Sequence, residues 1–131
     1  MEEQFKMFDS DFYYPDLREA KEFLGRTLSK TKYEATKRRN LDFSITIDDL
    51  IRLYKKQNGR CALTGRKLEF TRGGSFKNGT NGNSASIDRI YNRVGYKSWN
   101  IQLVCWEANA MKTSYDNNDF LNICKEVSKN I

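Results

Sequence analysis

Apolar positions recur along the chain with two different periods. Leu17, Ala20, Leu24 and Leu28 follow an i, i+3, i+7, i+11 stripe, which predicts an amphipathic helix entered at Tyr14-Pro15, with Pro15 at its first position. Gly25 is placed to divide this segment, and Thr27 or Ser29 then opens a second helix running to about Arg39. Leu41–Thr46 reads as a short extended entry. Ile47, Leu50, Ile51 and Tyr54 give i, i+3, i+4, i+7, with Thr46 as N-cap, Asp48 and Asp49 in the first turn, and Asn58-Gly59 as the stop.

The period then changes. Arg60–Phe70 reads as a strand after a turn. Ser86–Ile90 and Asn100–Cys105 are short, β-branched apolar runs that flank a polar loop containing Gly95, so two strands are expected. Trp106–Thr113 loses the alternation and carries good helix formers. Within it, Asn109 and Lys112 share a helix face. A last helix is capped by Asp116 or Asn117. Its stripe of Phe120, Leu121, Cys124 and Val127 places Cys124 in the core. Gly73, Gly74, Gly79 and Gly82 lie in a stretch without apolar period, which predicts a flexible loop and lacks the phosphate-cradling pattern. Five aromatics in residues 1–14 (Phe5, Phe8, Phe12, Tyr13 and Tyr14) are expected to cover an apolar surface of the body.

Composition narrows the class. The chain has 131 residues and is expected to form one domain. Its formal charge of +6 suits a polyanionic partner, although many soluble proteins share such a surplus. The predicted second helix carries much of it: Lys30, Lys32, Lys37, Arg38 and Arg39. They form either a solvated face or a phosphate-contacting helix. Three cysteines are odd in number and sparse, which points to a reducing compartment. No run approaches the ~20 apolar residues of a membrane span, and the acidic start Met1-Glu2-Glu3 is unlike a secretory signal. A soluble intracellular protein is expected.

The polar residues of the strand–loop–strand–helix stretch carry the chemistry. Asp88-Arg89 sits on the first strand. Gly95-Tyr96 leads to Asn100 at the second. Cys105-Trp106-Glu107-Ala108-Asn109-Ala110-Met111-Lys112 opens the helix. Upstream stands Gly59-Arg60-Cys61-Ala62-Leu63-Thr64-Gly65. In this order the four pieces resemble the HNH nucleases, the ββα-metal family. The closest likeness is to phage and restriction-type members with Asp-Arg in place of Asp-His.

The resemblance implies an α+β protein with a ββα-metal core over 58–113, a helical part over 1–57 and a C-terminal helix over 114–131. It implies hydrolysis of DNA phosphodiester bonds. The site would consist of Asp88, Arg89, Asn100, Asn109 and Lys112, with Asp88 and Asn109 holding Mg²⁺ or Mn²⁺ through hard oxygen ligands. Asn100 would pin the loop. Arg89 stays protonated, so it is assigned to gripping phosphate. Double-stranded DNA would be the partner, held also by Lys30–Arg39 and by Arg66–Lys77. A homodimer is compatible with the family, as is the cytoplasm of a bacterial or phage-infected cell.

Two departures shape the expectations. The chain contains no histidine, so the family's general base is absent. Tyr91, Tyr96, Lys112, Glu107, a metal-bound water and the substrate phosphate all remain candidates. The family's two Cys-x-x-Cys knuckles fall here at Cys61–Thr64 and Cys105–Ala108, and the second cysteine of each is replaced, by Thr64 and Ala108. A structural zinc needs four N or S ligands, so none is expected. Cys61 and Cys105 are expected to approach each other in an apolar pocket. The rival class is a catalytically inactive HNH-like nucleic-acid-binding protein, and a third is a basic structural or interaction protein.

Overall fold

The computed structural model describes residues 17–71 and 82–131. The aromatic N-terminal cover, the Pro15 helix entrance and the loop at Gly73, Gly74 and Gly79 lie outside the described residues, as does Lys77. Among the described residues the architecture is α+β, with four α-helices and a two-stranded sheet. The order is α1 (Leu17–Tyr33), a π-helical turn (Glu34–Arg38), α2 (Ile47–Lys56), β1 (Ala85–Arg89), β2 (Ile101–Cys105), α3 (Trp106–Lys112) and α4 (Asn117–Lys129). No described helix is long and apolar enough to cross a membrane.

α1 runs through Gly25 without a break, against the expectation of two helices. A Cβ at Gly25 would meet nothing, so this glycine serves no close approach. Thr27 and Ser29 do not cap a second helix. Their hydroxyls donate to the carbonyls of Phe23 and Gly25, four residues back, at 3.1 and 3.2 Å. That local bond satisfies each hydroxyl inside a continuing helix. Ala20 and Leu24 are buried, facing α2 and β1.

α2 begins as its sequence dictates. Thr46 Oγ1 accepts the Asp49 N–H at 3.3 Å, and Asp49 Oδ2 accepts the Thr46 N–H at 2.9 Å. This reciprocal box satisfies two donors that a helix start otherwise leaves unpaired. The helix ends at Asn58 and Gly59, both at positive φ (55° and 69°). Leu50 and Tyr54 project from it into the core.

Arg60–Phe70 does not form a regular strand. Cys61 N–H bonds Arg66 O at 2.7 Å around Gly65, whose φ is +76°, so the backbone closes into a tight turn. Only isolated bridges, Arg60 to Lys67 and Glu69 to Ser84, extend from it.

β1 and β2 pair antiparallel, with Asp88 opposite Gln102 and Arg89 opposite Ile101. Every residue of β2 is buried. The long loop between them folds back on the extended segment before α2. Tyr96 N–H bonds Asp42 O at 2.8 Å, and Ser44 N–H bonds Tyr96 O at 3.0 Å. A Cβ at Gly95 would collide with Asp42 O, so only glycine permits this crossing.

α3 starts directly after β2 and lies across the sheet. α4 behaves differently. None of its residues is buried, and Cys124 is exposed rather than in the core. The apolar stripe is present, but no described element packs over it. The side chain of Asp116 does not cap α4 either; its Oδ1 accepts the Asn92 N–H at 2.6 Å.

Candidate active site

Asp88 lies near the end of β1 and is buried. Both of its hydrogen bonds fall on Oδ2, from Gln102 Nε2 at 2.9 Å and Lys112 Nζ at 2.6 Å. Among the described residues nothing bonds Oδ1. Cross-strand pairing explains the first contact, since directly opposed side chains on one sheet face meet. α3 explains the second: it carries Lys112 back across the sheet. Lys112 is completely buried, and its ammonium also donates to Arg89 O at 2.6 Å. An isolated buried ammonium is costly, so Asp88 is the counter-ion that makes this position tolerable.

Gln102 is held in turn by Asn117. Gln102 Nε2 donates to Asn117 Oδ1 at 2.9 Å, and Asn117 Nδ2 donates to Gln102 Oε1 at 3.1 Å. The sequence reading missed both residues. The available signal was a lone glutamine within the otherwise apolar run Ile101–Cys105.

Asn100 is completely buried and ties the loop together. Its Nδ2 lies within hydrogen-bond range of the carbonyls of Tyr91, Val94 and Gly95 at 3.0–3.2 Å. Its Oδ1 accepts the Tyr91 N–H at 2.9 Å. This loop positions Asn92, which in turn fixes Arg89. The guanidinium donates to Asn92 O and, at 3.1 Å, to Asn92 Oδ1. It also lies 5.2 Å from the centre of the Tyr96 ring. Arg89 is therefore held over an aromatic face, with donors beyond the two groups bound to Asn92.

Asp88, Arg89 and Asn109 line one cleft of about 820 Å³. Its other wall is the end of α1, which contributes Lys30, and the π-helical turn with the residue that follows it, Arg39. Lys32, Lys37 and Arg38 do not line it; they are exposed elsewhere on that helix. Lys112 and Asn100 also lie outside the lining, so their place is to hold Asp88 and the loop.

The four side-chain candidates for the base are not equivalent. Tyr91 is 49% exposed and outside the cleft. Tyr96 lines it, but is packed on Phe43 and lies beneath Arg89. Lys112 is committed as a donor to Asp88 and Arg89 O. Glu107 is outside the cleft lining and is paired with Arg66 at 2.6 Å.

The knuckle residues meet at one edge of α3. Cys61 and Cys105 are buried and both meet Thr64, whose N–H lies 3.4 Å from Cys61 Sγ. Thr64 Oγ1 stands 3.8 Å from Cys105 Sγ, and Ala108 is also buried. The surroundings are less apolar than expected, because Thr64 and the Arg66–Glu107 pair form a polar rim. Burial raises the Cys61 thiol. The Thr64 hydroxyl and the N–H groups of Cys105, Thr64 and Leu63 outweigh burial and hold it below its ordinary value. Burial pushes Cys105 up, and the charge of Cys61 adds to it. Two sulfurs, a hydroxyl and a methyl group are a poor zinc set. Purified protein is expected to carry well under one equivalent of zinc, and EDTA should leave its melting temperature unchanged. Stoichiometric zinc, or a large EDTA-induced drop, would contradict this.

Among the described residues no group of three or more His, Cys, Asp or Glu side chains could hold a metal by itself. For a hard cation the β1 and α3 side of the cleft offers one uncommitted carboxylate oxygen, Asp88 Oδ1, and the Asn109 side-chain carbonyl. Both are the oxygen donors that Mg²⁺ and Mn²⁺ prefer. The residues thus fit such an ion if substrate oxygens and water complete its coordination. The chain matches no protein-family profile, no curated protein and no solved structure.

Proposed function

We propose that the protein is a metal-dependent phosphodiester hydrolase acting on DNA. Within that class, we read it as an HNH-type endonuclease whose ββα core is β1, β2 and α3. The observation that carries this reading is convergence. A buried acid with one uncommitted oxygen, a fixed guanidinium and an amide from α3 share a cleft with two cations from a separate helix.

Each residue has a distinct task. Lys30 and Arg39 attract the backbone and set its position across the cleft. Arg89 donates to the non-bridging oxygens of the scissile phosphate and offsets the charge that builds there. Asp88 and Asn109 would hold Mg²⁺ or Mn²⁺, which when bound supplies charge stabilisation and help for the leaving oxygen. Lys112 and Gln102 fix the Asp88 carboxylate from behind, leaving Oδ1 as its open face. Asn100 fixes the loop on which Arg89 depends. Duplex DNA is the proposed substrate, and a homodimer would allow both strands to be cut.

Arg89 gives one test. An ammonium cannot reproduce its fork to Asn92 or its stacking on Tyr96. Arg89→Lys is expected to lose about 10²–10³-fold in single-turnover rate, the scale of one lost charge-stabilising donor. Arg89→Ala should lose at least as much. Normal cutting by Arg89→Ala would reduce Arg89 to a packing residue.

The absence of histidine favours one rival, a silent nucleic-acid-binding module. Relaxation of supercoiled plasmid in Mg²⁺ or Mn²⁺, blocked by EDTA, separates the two. Plasmid binding without relaxation would select the rival.

A further inference from the structure

We propose that Glu34 accepts the proton from the attacking water. This inference rests on the nuclease reading and names the base that a chain without histidine lacks.

The lining of the cleft contains two carboxylates, Asp88 and Glu34. Asp88 is occupied by Lys112 and Gln102 on one oxygen and is assigned to the cation through the other. Glu34 comes from the other, helical wall. It is partly buried, and no hydrogen bond or ion pair engages its carboxylate among the described residues. Its acceptor oxygens are therefore free for a water molecule. The other side-chain candidates are less well placed. Tyr91 and Glu107 are outside the cleft, Lys112 is locked in its ion pair, and Tyr96 is packed on Phe43 beneath Arg89.

The backbone around Glu34 gives an independent reason. Arg39 N–H bonds Glu34 O, five residues back, at 3.1 Å. In an α-helix two residues five apart point about 140° away from each other, at ~100° per residue. The wider turn brings Glu34 and Arg39 to the same wall of the cleft. Such π-helical turns are rare and frequently found at functional sites. Here the turn places a proton acceptor and a phosphate-binding cation in the lining of one cleft.

The step balances without another reactant. The water O–H bond breaks and its proton passes to a Glu34 carboxylate oxygen. The water oxygen forms the new bond to phosphorus. The bond from phosphorus to the 3′ oxygen breaks, its electron pair stays on that oxygen, and solvent protonates it.

Glu34→Gln keeps the shape and removes the base. The test compares it with wild type in single-turnover cleavage of a labelled duplex at saturating Mn²⁺. Mn²⁺ affinity is measured by calorimetry, and duplex affinity is measured in Ca²⁺. The expected result is a rate loss of about 10²–10⁴-fold, the scale of one general base, with both affinities within about threefold of wild type. Glu34→Ala should lose a similar amount and regain about tenfold with added formate, a small carboxylate able to enter the vacated space. Cleavage by Glu34→Gln at the wild-type rate would overturn the assignment while leaving the nuclease reading in place. A loss matched by weakened Mn²⁺ binding and recovered at high Mn²⁺ would also overturn it, making Glu34 a ligand. No cleavage by wild type would overturn both.

Discussion

Lys112→Met is expected to destabilise the protein by about 3–5 kcal/mol, the cost of breaking a buried ion pair by removing one partner. For a domain of this size that corresponds to a fall in melting temperature of roughly 10–20 °C. The reason is specific. Lys112 is completely buried and donates to Asp88 Oδ2 and Arg89 O, both at 2.6 Å. Methionine fills the volume but leaves the buried carboxylate and the strand-end carbonyl without that donor. Adding Asp88→Asn should recover part of the loss, because the amide carries no charge to strand. A double-mutant cycle read by thermal denaturation measures the coupling. Additive losses would mean that the pair contributes nothing beyond its two side chains.

Asp88→Asn is expected to lower the cleavage rate by about 10³-fold or more. It removes the one charged oxygen donor in the proposed cation set. From the residues alone, Asp88→Ala looks like a purely chemical knockout, with the fold left intact. The ion pair changes that expectation. Asp88→Ala strands a buried ammonium and should melt well below wild type. The amide oxygen introduced by Asp88→Asn would retain an acceptor for Lys112, so the asparagine variant should melt between the two. Circular dichroism melts of the three proteins check the ranking. Duplex binding by Asp88→Asn in Ca²⁺ checks that lost cleavage is not lost association. Equal melting of wild type and Asp88→Ala would show that Lys112 does not depend on the carboxylate.

The elements that announce themselves locally were the legible ones. Thr46 and Asp49 fix the start of α2 through bonds three residues apart, and Asn58-Gly59 ends it through positive φ. The two strands and α3 also lie where their patterns place them, within a residue. Patterns failed where tertiary context decides. The stripe of α4 is real, but periodicity does not say what covers it, and Cys124 is exposed. Gly25 reads as a break, yet helix continues on both sides and nothing crowds the position.

The candidate site divides in the same way. Asp88, Arg89 and Asn109 are legible through their spacing around one strand–loop–strand–helix unit. The pairing of Asp88 with Lys112 is a packing fact, because it requires α3 to return its last turn across the sheet. Gln102 had a faint signal, a polar residue in an apolar strand. Glu34 had none. It belongs to a different helix, and a π-helical turn has no sequence signature here to show that Glu34 lines the same cleft as Asp88.

The measurement that tests the central claim most directly is cleavage of an end-labelled duplex by purified wild type, with Mn²⁺ and with EDTA, alongside Asp88→Asn. The account predicts nicked product only in the wild-type reaction with Mn²⁺, and a rate lower by about 10³-fold or more for the variant although it still binds the duplex. Wild type that binds the duplex yet never cuts it, or Asp88→Asn that cuts at the wild-type rate, would contradict the account.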